Sequence, residues 1–201
     1  GGRDLYELFR AQVAKAATPE QRDQLVRALA AFRDPALARA TADYTMTEAV
    51  RPQDFWKPWV VLLRNSAVNK DAWAYLKANW AAIRAKAGPR AAAVIIEGLG
   101  GVHDLAIRAE AEAFFSDPAN MEPTARRALA QSLEFMAMGA NFEARERSAF
   151  SAWLKTRYPA SRSRRGRVRD ATVGRPVRHP RRARSGSGRG GPARGRRRRR
   201  R

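Results

Sequence analysis

From Asp4 to Ala16 the apolar residues Leu5, Leu8, Phe9, Val13 and Ala16 fall on one stripe at three- and four-residue intervals, the pattern of a helix with one buried face. Thr18-Pro19-Glu20-Gln21 restarts the chain. Thr caps a helix well, Pro suits its first position, and Gln21 stands three residues on, as a capping box requires. A second helix follows through Leu25, Val26, Leu29 and Phe32, and Asp34-Pro35 repeats the start signal for a third that ends near Tyr44. Pro52-Gln53-Asp54 opens a fourth, carrying Phe55, Trp56, Trp59, Val60 and Leu63; Pro58 predicts a late start or a kink. A strand over residues 59 to 63 is the alternative, but no second β-run offers it a partner.

Asn69 is the predicted cap of a fifth helix, in which Trp73, Leu76, Trp80 and Ile83 share a face and which Gly88-Pro89 stops. A short apolar helix over residues 91 to 98 ends in Gly98-Leu99-Gly100-Gly101. A seventh, about 103 to 115, packs through Ile107, Ala111, Phe114 and Phe115. Residues 118 to 123 form a turn. Two more helices are expected, 125 to 138 through Leu129, Leu133 and Met136, and one from about Ala140 with Phe142, Phe150, Trp153 and Leu154. About nine helices joined by short connections predict an all-α body of antiparallel pairs, an α-solenoid of the HEAT or armadillo kind, with a compact irregular bundle as the alternative. No fixed-period repeat is evident.

Composition changes this picture at one end only. The chain of 201 residues carries a net charge of +21, but residues 1 to 157 hold 22 basic and 18 acidic side chains, whereas residues 158 to 201 hold 18 Arg against the single Asp170. That segment, made largely of Arg, Gly, Pro and Ser and ending in six Arg, lacks the apolar area to fold and is expected to be disordered. Three origins stay open: a frameshifted or misassembled gene end, since Arg, Gly, Pro and Ala are what GC-rich codons give out of frame; a genuine arm for nucleic acid; and a cloning artefact. The chain begins Gly-Gly-Arg, with Asp4 opening directly into a helix, and is expected to be a fragment. No run approaches the ~20 apolar residues of a membrane span, and no signal peptide is evident; the compartment is left unknown.

Candidate chemistry is sparse. There is no cysteine and there are two histidines, which excludes disulfides, thiol catalysis and cysteine zinc sites. His-Glu-x-x-His is absent. His103-Asp104 reads as a helix start with a carboxylate at its positive end. Glu110, Glu112, Glu143 and Glu146 lie on polar faces near Arg108, Arg145 and Arg147 and read as solvated ion pairs. Gly98, Gly100 and Gly101 follow no strand, so they read as a helix stop. Trp56, Trp59, Trp73, Tyr75 and Trp80 read as core, with Trp73, Trp80 and Trp153 as structural anchors. No catalytic, cofactor-binding or metal residue is assigned.

Several segments in order carry a resemblance: Phe32 to Leu37, Val50-Arg51-Pro52-Gln53-Asp54, Asn69 with Ala72 to Trp80, Ala111 to Phe115, and Arg145 to Leu154. Across residues 4 to 157 they resemble the C-terminal helical domain of the M1 family of zinc aminopeptidases, the domain named after its endoplasmic-reticulum members. The resemblance implies a non-catalytic domain that packs on the enzyme's own N-terminal catalytic domain and shapes the chamber through which peptide substrate reaches the zinc. It also places the family's zinc motif upstream and its usual end near Trp153-Leu154, which makes the basic segment an addition. Two other readings stand beside it: a free-standing helical adaptor that binds nucleic acid through the Arg-rich segment, and an unrelated helical-repeat scaffold.

Overall fold

A computed structural model describes residues 2–158. The Arg-rich segment expected to be disordered lies, from residue 159 onward, outside the described residues. The helical elements belong to one unit, Gly1–Pro159. They are α1 (Arg3–Val13), α2 (Pro19–Ala30), α3 (Pro35–Thr45), α4 (Trp56–Arg64), α5 (Asn69–Gly98), α6 (Leu105–Ser116) and α7 (Arg126–Arg157), with 3-10 turns at Pro52–Asp54, Leu99–Gly101 and Pro123–Ala125. No strand occurs among the described residues, and the stretch around Trp59 is helical.

The starts follow from the expected capping chemistry. Gln21 N–H donates to Thr18 Oγ1 at 3.2 Å, although the Gln21 side chain accepts from Ala17 N–H and not from the cap residue itself. Asp34 Oδ1 accepts from Ala36 N–H at 2.8 Å and Leu37 N–H at 3.2 Å, and Asp104 Oδ1 does the same for Ala106 and Ile107. Pro58 produces the late start: a 3-10 turn occupies Pro52–Asp54 and α4 begins at Trp56, so Pro58 falls in the first turn, where a missing N–H costs little. Asn69 is the first residue of α5 and not its cap, and Val68 in the cap position makes no side-chain bond. Asn65 takes up the polar work of that junction. Its Oδ1 accepts from Ala67 N–H at 3.3 Å while its Nδ2 donates to the Phe32 carbonyl at 2.8 Å, just beyond α2.

Among the described residues there are seven α-helices, where about nine were expected. Residues 69 to 98 run as one element, yet Gly88 sits at φ 72°, so the expected break survives as a sharp bend ahead of Pro89. The expected break near residue 139 does not occur. Gly139 is helical, and α7 continues for 32 residues; one glycine weakens a helix by only about 1 kcal/mol and does not end it.

Substantial packing links elements one or two steps apart in chain order. The pairs α1·α2, α2·α4, α4·α5, α3·α5, α5·α7 and α6·α7 account for most of it, with α4 on α5 the most extensive. The core includes Tyr6, Leu29, Phe55, Trp59, Leu62, Leu63, Trp73, Leu76, Ile83, Ile95, Ile96 and Phe115. Its polar groups are mostly paired. The buried Thr41 hydroxyl donates to the Leu37 carbonyl at 2.9 Å and lies 3.1 Å from Tyr6 Oη, and burial pushes the Tyr6 phenol up. Lys86 Nζ donates to the Thr45 and Thr47 carbonyls at the end of α3, and burial holds its ammonium below the usual lysine range.

Candidate functional site

Each residue weighed for chemistry has a structural partner. Asp104 caps α6 and also receives Lys70 Nζ at 2.8 Å, and these bonds hold its carboxyl below the usual range. His103 Nδ1 lies 2.7 Å from Glu143 Oε1, and Arg147 Nη2 donates to the other oxygen of the same carboxylate at 2.5 Å. Glu112 pairs with Arg108 and Glu146 with Arg145, as the sequence suggested. Glu110 departs from that pattern. It accepts from Trp73 Nε1 at 3.0 Å and from Lys77, both on α5, so it ties two helices together instead of pairing along its own. No group of three or more His, Cys, Asp or Glu side chains converges among the described residues. That donor set does not fit a zinc ion.

The glycines at the end of α5 permit close approach. A Cβ at Gly98 would meet the Val60 side chain at 3.3 Å, and one at Gly100 would meet Phe135 at 3.4 Å, so the helix stop also seats α5 on α4 and α7. Trp59, Trp73, Tyr75 and Trp80 are core residues, and Trp56 is partly buried against it. Trp73 and Trp80 meet Phe114 and Phe115 edge-on, at centroid distances of 5.9 and 5.3 Å. Trp153 corrects the sequence expectation. It is 54% exposed and stacks on Phe150 at 5.8 Å, because α7 runs straight on past the body instead of returning to it.

Two surface features stand out among the described residues. Between α3 and α5 lies a groove of about 570 Å³ with a floor of Ala38, Ala42 and Ala72 and a rim that includes Arg39, Asp71, Ala78 and Asn79. Tyr75 closes one wall: its Oη donates to Asp43 Oδ1 at 2.8 Å, Arg39 lies 4.5 Å over its ring, and burial followed by the Asp43 bond pushes the phenol up to about 12. The second feature is an apolar seam on α7. Its last buried residue is Met136, whereas Phe135, Met138, Phe142, Phe150 and Trp153 are all more than half exposed. Isolated exposed hydrophobics are ordinary, but a row of five on one helix marks a contact face. Neither feature was legible from residue types: the alanines of the groove look like plain helix formers, and the seam residues look like core.

Residues 1–138 match the family model described as the ERAP1-like C-terminal domain. The chain is also similar to aminopeptidase N of Lactococcus lactis subsp. cremoris and of Lactococcus lactis subsp. lactis (strain IL1403), 33% identical to each over 86 residues. That stretch is 42% of this chain and 10% of each relative, so the chain matches a small part of those proteins. No helix among the described residues is long and apolar enough to cross a membrane.

Proposed function

Because the chain belongs to the ERAP1-like C-terminal domain family, we propose that it is the non-catalytic helical domain of an M1-type zinc aminopeptidase, a row of helix pairs that packs on the catalytic domain and narrows the path of peptides to it. The observation that carries this reading is the family match over residues 1–138, joined to the likeness to aminopeptidase N. The side-chain chemistry agrees with it. Asp104, Glu110 and the His103–Glu143 pair tie one element to another, and Glu112 and Glu146 pair within their own helices, which suits a structural wall. In this reading zinc and its chemistry belong to the catalytic domain, and this chain contributes shape. The groove between α3 and α5, with its small-residue floor and mixed-charge rim, is our candidate for the face turned toward peptide. Such a surface admits varied side chains because its floor is small and apolar and Arg39 on its rim is already paired with Asp43.

The test is complementation. An aminopeptidase N is expressed without the segment matched here, and the 201-residue chain is supplied in trans. The expected result is co-elution, a raised melting temperature for the catalytic part, and a restored difference in kcat/KM between short and long peptides. A chain that neither co-elutes nor changes the peptide-length profile refutes the proposal.

A further inference from the structure

We propose that the exposed seam of α7 is a self-association face, on which a second copy of the chain pairs antiparallel, with Phe135 of one copy against Trp153 of the other. The seam has a regular pattern. At 100° per residue, Phe135, Gly139, Phe142, Glu146, Ala149 and Trp153 share one narrow stripe, about a quarter-turn from the face formed by the buried Leu129, Ser132, Leu133 and Met136. Their alternating spacing of four and three is that of a coiled-coil seam. Met138 and Phe150 flank it on either side and widen the apolar strip.

The order of residues selects the partner. When the helix is laid against its own reverse, Phe135 faces Trp153, Gly139 faces Ala149 and Phe142 faces Glu146. Large rings meet at both ends, and the small Ala149 of one copy comes opposite Gly139 of the other, where the His103 ring of the same chain already lies over the glycine. Arg145 lies 5.7 Å from the centre of the Phe142 ring and donates to its own Glu146 at 2.6 Å. In the antiparallel pair, Glu146 of the second copy arrives opposite Phe142, within reach of that guanidinium. Parallel pairing instead sets Glu146 against Glu146 inside the seam. An antiparallel pair about a two-fold axis is isologous, so one sequence provides both sides of the contact.

The area suffices for a weak dimer. Five large side chains, each more than half exposed, present roughly 100 Å² apiece, or about 1,000 Å² over two copies, the lower limit for a specific interface. An interface of this size sits at the weak, transient end of specific contacts. This inference stands apart from the chamber reading, because it uses only the seam and its symmetry.

Sedimentation velocity on the full 201-residue chain over a concentration series, in salt high enough to screen the basic segment, provides the test. The expected result is a monomer–dimer equilibrium that persists in salt, with a Kd raised at least about tenfold by Trp153→Glu. The absence of native cysteine makes engineered thiols unambiguous. A Phe135→Cys chain mixed with a Trp153→Cys chain is expected to form a mixed disulfide under mild oxidation, while neither variant links to itself. A chain monomeric at every concentration overturns the proposal, as does a dimer indifferent to Trp153→Glu or a Phe135→Cys chain that links to itself. So does a monomeric chain whose seam is needed only to hold a catalytic domain, for then that domain is the occupant.

Discussion

Two tryptophans of this chain differ in burial so sharply that removing each gives a quantitative check on the core. Trp80 is 3% exposed. It meets Phe115 edge-on at 5.3 Å, and its indole N–H donates to the Asn120 carbonyl at 2.7 Å, fixing the turn that follows α6. Reducing a buried tryptophan to alanine costs about 3–5 kcal/mol in lost burial and residual cavity, and an unpaired buried carbonyl adds about 1. A total near 5 kcal/mol, at ~2–4 °C per kcal/mol for a body of this size, lowers Tm by about 15 °C. Trp153, 54% exposed and touching little beyond Phe150 and Tyr158, gives up less. Trp153→Ala is expected to change stability by no more than about 0.5 kcal/mol, or ~2 °C. Both are measured by thermal melts followed by circular dichroism, in solution dilute enough to keep association out. Trp80→Phe keeps most of the ring and loses the hydrogen bond, so its Tm falls between the two. Equal shifts for Trp80→Ala and Trp153→Ala would falsify the assigned core face, and so would a loss of only ~2 °C for Trp80→Ala.

Other expectations can be read from single substitutions. Thr41→Val removes the hydroxyl that meets Tyr6 and the Leu37 carbonyl in the core and is expected to cost about 1–3 kcal/mol in urea titration despite its matched size; an unchanged midpoint refutes it. Gly88→Ala has open space for its methyl, but φ 72° strains any L side chain. A loss of about 1–2 kcal/mol is expected, where helix propensity alone forecasts a gain. Asp54 supplies a pH dependence. Burial works to raise its carboxyl, and the bonds from Lys57 and Arg51 outweigh it, so the group sits below the usual range. The unfolded chain therefore binds this proton more readily, and the stability that Asp54 contributes is present above the ordinary carboxylate range, near pH 4, and is lost as pH falls through the depressed value. Asp54→Asn should flatten the acid side of the Tm–pH curve by up to about 1 kcal/mol. If the variant's curve parallels that of the parent, the pair carries no linkage.

Helix identity was readable where capping chemistry and apolar spacing agreed. Thr18-Pro19, Asp34-Pro35 and Asp104 each start a helix by the bonds their side chains can make. Reading failed where the deciding interaction was distant. Asn69 looks like a cap, but Asn65 holds the junction by reaching back to Phe32, 33 residues earlier. Glu110 looks like a partner for its own helix, yet Trp73 and Lys77 claim it from α5. The apolar pattern of α7 correctly marks helix throughout but cannot say which apolar residues find a partner, and this placed Trp153 in the core when it is exposed. The pairing of Glu112 with Arg108 and of Glu146 with Arg145 was legible from the charges beside them in the sequence. The groove was not, because an alanine floor leaves no chemical signature.

The packing of neighbours one or two steps apart has a kinetic consequence. Contacts close in sequence have low loop-closure cost, so the body should fold fast, on the micro- to millisecond scale of low-contact-order helical proteins, with α4 and α5 as the natural place for a nucleus. Opening follows the same geometry. With each helix answerable mainly to its near neighbours, unfolding can proceed from either end while the α4–α5 pair holds, and amide exchange should grade from fast at α1 and the far end of α7 to slowest around Trp59, Leu63 and Leu76.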